Sequence, residues 1–446
     1  MMKVLIFIIM LNFNIMINNK QIMMKLLVMM LMVISLMFTY SINFNENWMN
    51  LYSWMGMDLL SYMLSLLSLW IIMLMFMVSL NFKNIKMFSF ILLLLLLSLM
   101  LSFMSINYFM FYLYFEISLF PTFLLIMGWG YQPERINASM FMLLYTMFAS
   151  LPLMIILFYL LSYFNSLNYL IILNNTMKFT YLKLLMYLYM IFAFLIKLPL
   201  FMLHMWLPKA HVEAPICGSM ILAGVMLKLG GYGIIRSMMM MLNYSKYFNY
   251  IITIISLLGM FMLSVICLRQ YDLKLLVAYS SVVHMGMMLL GAMSLTKWGM
   301  VGSYLMMMAH GLCSSALFIL VNLSYKCSKS RNMLINKGMM NMFPTLSMWW
   351  FLFCICNMSS PVSLNLMSEI MIINVMLNWS FNSIYLLMAS MYLSSMYSLY
   401  MFSYSQHGAY NSLINKMNIN NMNEYLVLLL HWVPLNLIIM KIELFI

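Results

Sequence analysis

Long apolar runs follow one another along almost the whole chain and leave it few ways to fold. Of its 446 residues, 66% are hydrophobic and 7% are charged. A helix needs about 20 apolar residues to cross a bilayer, and we count about fourteen such runs. They lie at residues 3–18, 22–42, 56–80, 88–106, 107–128, 137–164, 185–206, 215–240, 249–268, 273–294, 298–323, 344–375, 381–404 and 423–441. The sequence therefore predicts an all-α polytopic membrane protein and excludes an ordinary soluble domain.

The basic residues indicate which side of the membrane each loop faces. The formal net charge is +13, but most lysine and arginine residues fall in short loops between runs, where they report topology and not a nucleic-acid partner. With these spans, thirteen of these basic residues lie opposite the N-terminus, including Lys274 and Lys416, and seven lie on the N-terminal side, including Lys178 and Arg236. Because the more basic loops stay in the compartment of synthesis, both termini are expected to face away from it.

The amino-acid usage indicates where the chain is made. It holds 63 methionines, and these, with abundant Asn, Ile, Phe and Tyr, are typical of an AT-rich gene read with a mitochondrial code in which an isoleucine codon specifies methionine. No cleavable signal or Arg-rich transit peptide precedes the first run. Both features are expected of a chain made inside the mitochondrion.

The segment from Ile196 to Lys228 holds residues that a simple membrane span would not contain. Lys197 and Lys228 lie near its ends in apolar sequence, with three prolines between them. Pro199 removes a backbone donor and clashes with the preceding turn, which predicts a helix break beside Lys197 and a second half-helix after it. A broken helix in a bilayer needs protein or water around it, and an intramembrane lysine typically marks an ion path or proton relay. We therefore expect residues that take part in transport to lie in this segment.

Other ionisable residues lie within the runs, each with a plainer interpretation beside the functional one. Glu116 is either a carboxyl group kept neutral by burial or the partner of Lys197, in a pair whose opening and closing moves a proton. Lys228 either lies in the membrane or extends to its surface. Glu369 is either buried or at a helix end, after a proline-interrupted stretch at Pro361 that repeats the pattern of the earlier break.

Two histidines lie beside hydroxyl groups on consecutive runs. His284 follows Ser280 and Ser281, and His310 precedes Ser314 and Ser315. A buried histidine is usually a hydrogen-bonded core residue, but histidine also titrates nearest neutrality and serves in relays, so both interpretations stay open. A loop cluster could gate an entrance or only solvate a turn; it consists of His204, Lys209, His211 and Glu213.

Metal and cofactor motifs are not predicted. Cys354 and Cys356 lack the spacing of a zinc or iron–sulfur ligand set, and the histidines lack a matching carboxylate or thiolate set. Gly231 and Gly233 are followed by Arg236 where a nucleotide-binding motif needs its third glycine. We therefore expect redox chemistry to take place outside this chain. We expect the six cysteines to be small buried side chains.

Four segments closely resemble a known family: FYLYFEISLFPTFLLIMGWGYQPERINAS, IKLPLFMLHMWLPKAHVEAPICGSMILAGVMLKLGGYG, LRQYDLKLLVAYSSVVHMG and MMMAHGLCSSALF. They are similar to the chain 4 family of mitochondrial NADH:ubiquinone oxidoreductase, respiratory complex I, one of its antiporter-like membrane subunits. The resemblance implies fourteen helices with two inverted five-helix repeats, each containing a broken helix. It divides the chain into N-terminal helices (1–87), a first repeat (88–240), a second repeat (249–404) and a C-terminal helix (405–446).

The resemblance also implies a role for each buried ionisable residue. Glu116 is the acidic partner of the fifth helix, Lys197 the lysine of the broken seventh and Lys228 the bridging lysine of the eighth. His284 and His310 match histidines of a hydrated axis, and Glu369 matches the terminal acid of the broken twelfth helix. Other antiporter-like chains usually have lysine at this last position, which favours the chain 4 type.

The family implies a proton-translocating subunit of an NADH:ubiquinone reductase, driven by electron transfer in other subunits. Those subunits hold FMN, iron–sulfur clusters and ubiquinone, so no cofactor or metal is expected on this chain. Expected partners are the antiporter-like chains 2 and 5, accessory subunits and inner-membrane phospholipids such as cardiolipin, but not nucleic acid. The expected location is the mitochondrial inner membrane, with both termini on the intermembrane-space side.

Two alternatives from other classes stay open. A free-standing sodium/proton antiporter would need its own cation-coordinating oxygens and would transport ions when purified alone. A structural membrane spacer would carry the same charges without using them, and proton pumping would then survive their removal.

Overall fold

A computed structural model describes residues 2–40, 48–80, 82–174, 183–409 and 422–444. Lys178 and Lys416, which enter the predicted topology, lie outside the described residues. Ten of the described helices are long and apolar enough to cross a membrane. This fits a polytopic helical membrane protein, while the total of fourteen spans and the repeats stay predictions.

The first half of the chain forms nine α-helices and one short antiparallel hairpin within the described ranges. In order these are α1 (Met2–Leu11), α2 (Lys20–Tyr40), β1 (Met49–Tyr52), β2 (Met55–Met57), α3 (Leu59–Val78), α4 (Ile85–Met104), α5 (Tyr108–Ile117), α6 (Leu119–Trp129), α7 (Arg135–Phe164), α8 (Tyr169–Asn174) and α9 (Lys183–Lys197). α1 continues into a 3₁₀ turn at Asn12–Met16, and α5 and α6 together form one span, Tyr108–Trp129.

The second half is also helical throughout its described part. It contains α10 (Trp206–Glu213), α11 (Ile216–Ile221), a π turn (Leu222–Met226), α12 (Leu227–Met240), α13 (Leu242–Cys267), α14 (Leu273–Met293), α15 (Lys297–Ser328), α16 (Met339–Met342), α17 (Pro344–Asn357), α18 (Leu364–Trp379), a 3₁₀ turn (Phe381–Ser383), α19 (Ile384–Gln406), α20 (Met422–Leu437) and a 3₁₀ segment (Ile438–Leu444). The chain divides into two compact units, Met1–Lys197 with Glu213–Phe248, and Leu198–Val212 with Asn249–Ile446.

Two predicted spans are broken. The predicted break in the run at 185–206 is confirmed, because α9 ends at Lys197 and helix resumes only at Trp206. The run at 344–375 is likewise two helices, α17 and α18. Between them Ser359 and Val362 adopt positive φ angles of 55° and 66°, a backbone conformation that an α-helix does not contain.

Glycines allow close helix packing within the first unit. A Cβ atom added to Gly233 of α12 would overlap the ring of Phe194 on α9, which is itself fully buried. At Gly128 of α6, by contrast, nothing lies within 4 Å of an added Cβ. Close contact between α9 and α12 therefore depends on the missing side chain at Gly233.

Gly233→Ala should lower the stability of this packing by about 1–3 kcal/mol, because the added methyl group must displace a buried aromatic ring. The measurement is the thermal midpoint and yield of the purified assembly that contains the chain. Gly128→Ala is the matched control and should behave as the wild type. Equal midpoints for the two variants would contradict the close packing of α9 on α12.

Candidate functional sites

The first unit holds a buried lysine at the end of a broken helix. Lys197 is the last residue of α9 and is 2% exposed. Its Nζ donates a hydrogen bond to the Phe115 carbonyl oxygen at 2.9 Å and lies 3.0 Å from the centre of the Phe115 ring. The carbonyl and the ring face both stabilise a cation, so this position can hold a charged lysine away from water.

Glu116 follows Phe115 on α5 and completes this site. Its two carboxylate oxygens are buried, Ser150 of α7 lies beside the carboxyl group, and the charge of Lys197 acts on it. The structure thus brings together the two residues that the sequence predicts as a pair. The lysine ammonium group itself bonds to the backbone of Phe115, the residue next to Glu116.

Lys228 is fully buried in α12, just after the π turn at Leu222–Met226. Its Nζ donates to the carbonyl oxygen of Ala223, which lies in that turn. A π turn pairs residues five apart and is often found at functional sites. Because Lys228 lies inside the protein, the interpretation that its side chain extends to the membrane surface is wrong.

The second unit brings three predicted residues together. His284 on α14 and His310 on α15 have ring centres 5.7 Å apart, and His284 Nδ1 lies 3.8 Å from Glu369 Oε1 on α18. All three are at most 3% exposed. Helix α15 packs on both α14 and α18, which places the two histidines and the acid in one buried cluster.

A small cavity lies beside this cluster. His284 and Glu369 form part of its wall together with two hydroxyl groups, and the other lining residues are apolar. The full lining is Met260, Val283, His284, Met287, Glu369, Ser390, Met391 and Ser394. Ser359, in the break before α18, lies beside the Glu369 carboxyl group. Glu369 is therefore a buried acid in the wall of this cavity, near the start of α18.

The two histidines of the predicted loop cluster do not lie in a solvated turn. His211 is fully buried on α10, and its ring stacks on Phe318 of α15 at 4.7 Å. His204 is 6% exposed and stacks on Phe201. Lys209 is exposed, whereas Glu213 is buried. The histidines of this segment therefore pack within helical structure.

Lys274 fixes the end of the half-helix α10. It was counted among the loop cations, yet it is 4% exposed and donates to the carbonyl oxygen of Val212 at 3.3 Å. Its own backbone N–H donates to Asp272, which caps α14 at 3.0 Å. Burial raises the pKa of the Asp272 carboxyl group. A cation at a helix C-terminus is favourable, so Lys274 stabilises the end of α10.

Sequence reasoning missed a buried ion pair in the first unit. Arg236 was also counted as a loop residue, but it is 5% exposed in α12 and donates to Asp58 at 2.6 Å. Its guanidinium group lies 4.5 Å from the Trp48 ring centre and 4.8 Å from that of Tyr232. Asp58 also caps α3 through Ser61. A signal that Arg236 is buried was available, since it lies within the predicted run at 215–240, but nothing in that run pointed to Asp58.

No set of three or more His, Cys, Asp or Glu residues is arranged to hold a metal ion in the described ranges of the chain. All six cysteines are buried, as predicted. The carboxyl, ammonium and imidazole groups of the two clusters can exchange protons in a low-dielectric environment.

Two known sequence families together match residues 1–396 of this chain. Residues 1–104 match the family described as NADH-ubiquinone oxidoreductase chain 4, amino terminus. Residues 105–396 match the family described as NADH:quinone oxidoreductase/Mrp antiporter, TM. The junction between the two matches falls at the end of α4.

Individual relatives agree with these matches. NADH-ubiquinone oxidoreductase chain 4 of Aedes aegypti is 50% identical over 404 residues, which cover 90% of each chain. The chain 4 of Ceratitis capitata is 47% identical over 409 residues, again 90% of each. A chain in the structure of respiratory complex I from Thermus thermophilus with bound NADH shares the fold, with a TM-score of 0.86 at 21% identity, covering 97% of this chain and 94% of that one.

Proposed function

This chain belongs to the NADH-ubiquinone oxidoreductase chain 4 family, and we propose that its two buried clusters carry protons through the membrane part of that enzyme. In the first unit Glu116 and Lys197 take up and release a proton, and Lys228 receives it. In the second unit His284 and His310 pass protonation to Glu369. The observation that carries the proposal is the buried arrangement of His284 and Glu369 at 3.8 Å beside a cavity.

The positions of the helix breaks support the same function. Lys197 lies at the break after α9, and Glu369 lies in the second turn of α18, after the break that follows α17. Transporters built from inverted repeats place their sites at paired broken helices. We therefore retain the proposed fourteen-helix fold with two inverted five-helix repeats, one broken helix in each.

The energy for transport must come from outside the chain. Moving one charge against 100 mV costs about 2.3 kcal/mol. We propose that electron transfer from NADH to ubiquinone supplies it in other subunits, which hold FMN, the iron–sulfur clusters and ubiquinone. The proposed neighbours are the antiporter-like chains 2 and 5, accessory subunits and phospholipids such as cardiolipin. The proposed location is the mitochondrial inner membrane, with both termini facing the intermembrane space.

Glu369→Gln tests the proposal directly. Glutamine keeps the size of the side chain but cannot release a proton, so NADH-driven proton pumping should fall by at least about a hundredfold, the typical contribution of a positioned acid or base. The measurement is proton uptake by vesicles that contain the assembled complex. Glu424→Gln is the matched control, since Glu424 pairs with the exposed Lys326 and does not line the cavity beside His284. Normal pumping by Glu369→Gln would remove this residue from the path.

A further inference from the structure

His284 and Glu369 are too far apart to exchange a proton directly. The separation of 3.8 Å between Nδ1 and Oε1 exceeds hydrogen-bonding distance. A polar contact of this length commonly contains a bridging water molecule. The cavity that both side chains line has room for about one water molecule. The other residues that line this cavity therefore determine how a proton can pass between His284 and Glu369.

Two serines of α19 line the same cavity. Ser390 and Ser394 are four residues apart and so lie on one face of the helix. Their hydroxyl groups donate to carbonyl oxygens of their own helix, at 2.8 Å to Leu387 and 2.6 Å to Met391. A hydroxyl group has one donor and two acceptor positions, so each serine keeps lone pairs to accept from a second donor.

Glu369 provides a second polar atom at this place. It is 2% exposed, and its Oε2 makes no hydrogen bond to the described residues. Such an atom is costly to bury without a partner. The remaining lining residues, Met260, Val283, Met287 and Met391, are apolar, so the few polar groups determine how a molecule in the cavity is oriented.

We propose that Ser390 and Ser394 hold a water molecule between His284 and Glu369, and that the proton crosses through this water. The water donates to the serine lone pairs in the resting arrangement. When His284 is protonated, the water turns one O–H bond from a serine to the Glu369 carboxylate, accepts the imidazolium proton and releases that O–H proton to the carboxylate. The net change is one proton moved from imidazolium to carboxylate, with the water regenerated. This role of α19 rests on the proposed function of Glu369.

The test replaces both hydroxyl groups, Ser390→Ala with Ser394→Ala, in the assembled complex in vesicles. The rate of NADH-driven proton uptake should fall by roughly tenfold or more, the fold-change expected from losing two hydrogen bonds in a rate-limiting step. The solvent deuterium isotope effect on pumping should rise, because proton transfer becomes slower than the other steps. Ser395→Ala is the matched control, since its hydroxyl bonds to Tyr392 on the same helix and lies outside the cavity lining.

The outcomes separate this inference from the function on which it rests. Normal pumping and an unchanged isotope effect in the double variant, with pumping lost in Glu369→Gln, would overturn the role of the serines only. Normal pumping in both would overturn the proposed function as well. If the alanine pair does not assemble, the cysteine pair replaces it, because a thiol keeps the size but accepts hydrogen bonds weakly. Wild-type pumping by an assembled cysteine pair would equally overturn the inference, whereas restored pumping with threonine at both positions would support it.

Discussion

Replacing Lys197 with methionine should abolish proton pumping while the complex still assembles. Methionine fills a similar space but carries no charge, so Glu116 loses the cation that acts on it, and no proton can be held at the end of α9. We expect the rate of NADH-driven proton uptake to fall by at least about a hundredfold. The measurement uses vesicles with the assembled complex, and native gels report the amount of assembly.

Lys86→Met provides the control for this experiment, because Lys86 is an exposed lysine of α4. It should pump as the wild type does. If Lys197→Met also pumps normally with normal assembly, the charges are vestigial and the chain is a structural spacer. If the chain purified alone exchanges sodium for protons, it is a free-standing antiporter.

Replacing Arg236 with methionine should have the largest effect on stability. The guanidinium group and Asp58 are a buried pair with 6% and 11% of their side chains exposed. Removing one partner of a buried ion pair leaves an uncompensated charge and costs about 3–5 kcal/mol. The contacts of the guanidinium with the Trp48 and Tyr232 rings are lost as well. We expect a clearly lower thermal midpoint and less assembled complex.

Two further variants make the Arg236 result interpretable. Lys326→Met breaks the pair with Glu424, in which the lysine side chain is 45% exposed, so it should cost at most about 1 kcal/mol. Adding Asp58→Asn to Arg236→Met removes the buried negative charge and should restore part of the lost stability. An Arg236→Met complex as stable as Lys326→Met would show that this pair does not stabilise the first unit.

The sequence predicts local features of this fold well. Apolar runs locate the helices because a backbone in lipid must satisfy its own hydrogen bonds. The break at Pro199 follows from the missing backbone donor, and Glu116, Lys197, Lys228 and Glu369 stand out because charges are rare in spans. These inferences need only neighbouring residues, which one sequence provides.

Contacts between distant segments could not be predicted in the same way. Asp58 and Arg236 are 178 residues apart, and nothing in either segment alone indicates that they meet. The serines of α19 were missed for a related reason. Serine is common in apolar helices, where it bonds to its own backbone, so Ser390 and Ser394 become distinctive only when α14 and α18 place His284 and Glu369 opposite them.

The π turn before Lys228 has a consequence for the length of this segment. A turn that pairs residues five apart contains one residue more than the regular helix would. Each residue of an α-helix advances the side-chain direction by about 100°. Because the π turn absorbs this extra step, deleting a single residue between Leu222 and Met226 would restore a regular α-helix whose flanking parts still face the same way. The deletion would remove the turn whose Ala223 carbonyl oxygen accepts from the Lys228 amine, so in this segment the number of residues matters as much as their identity.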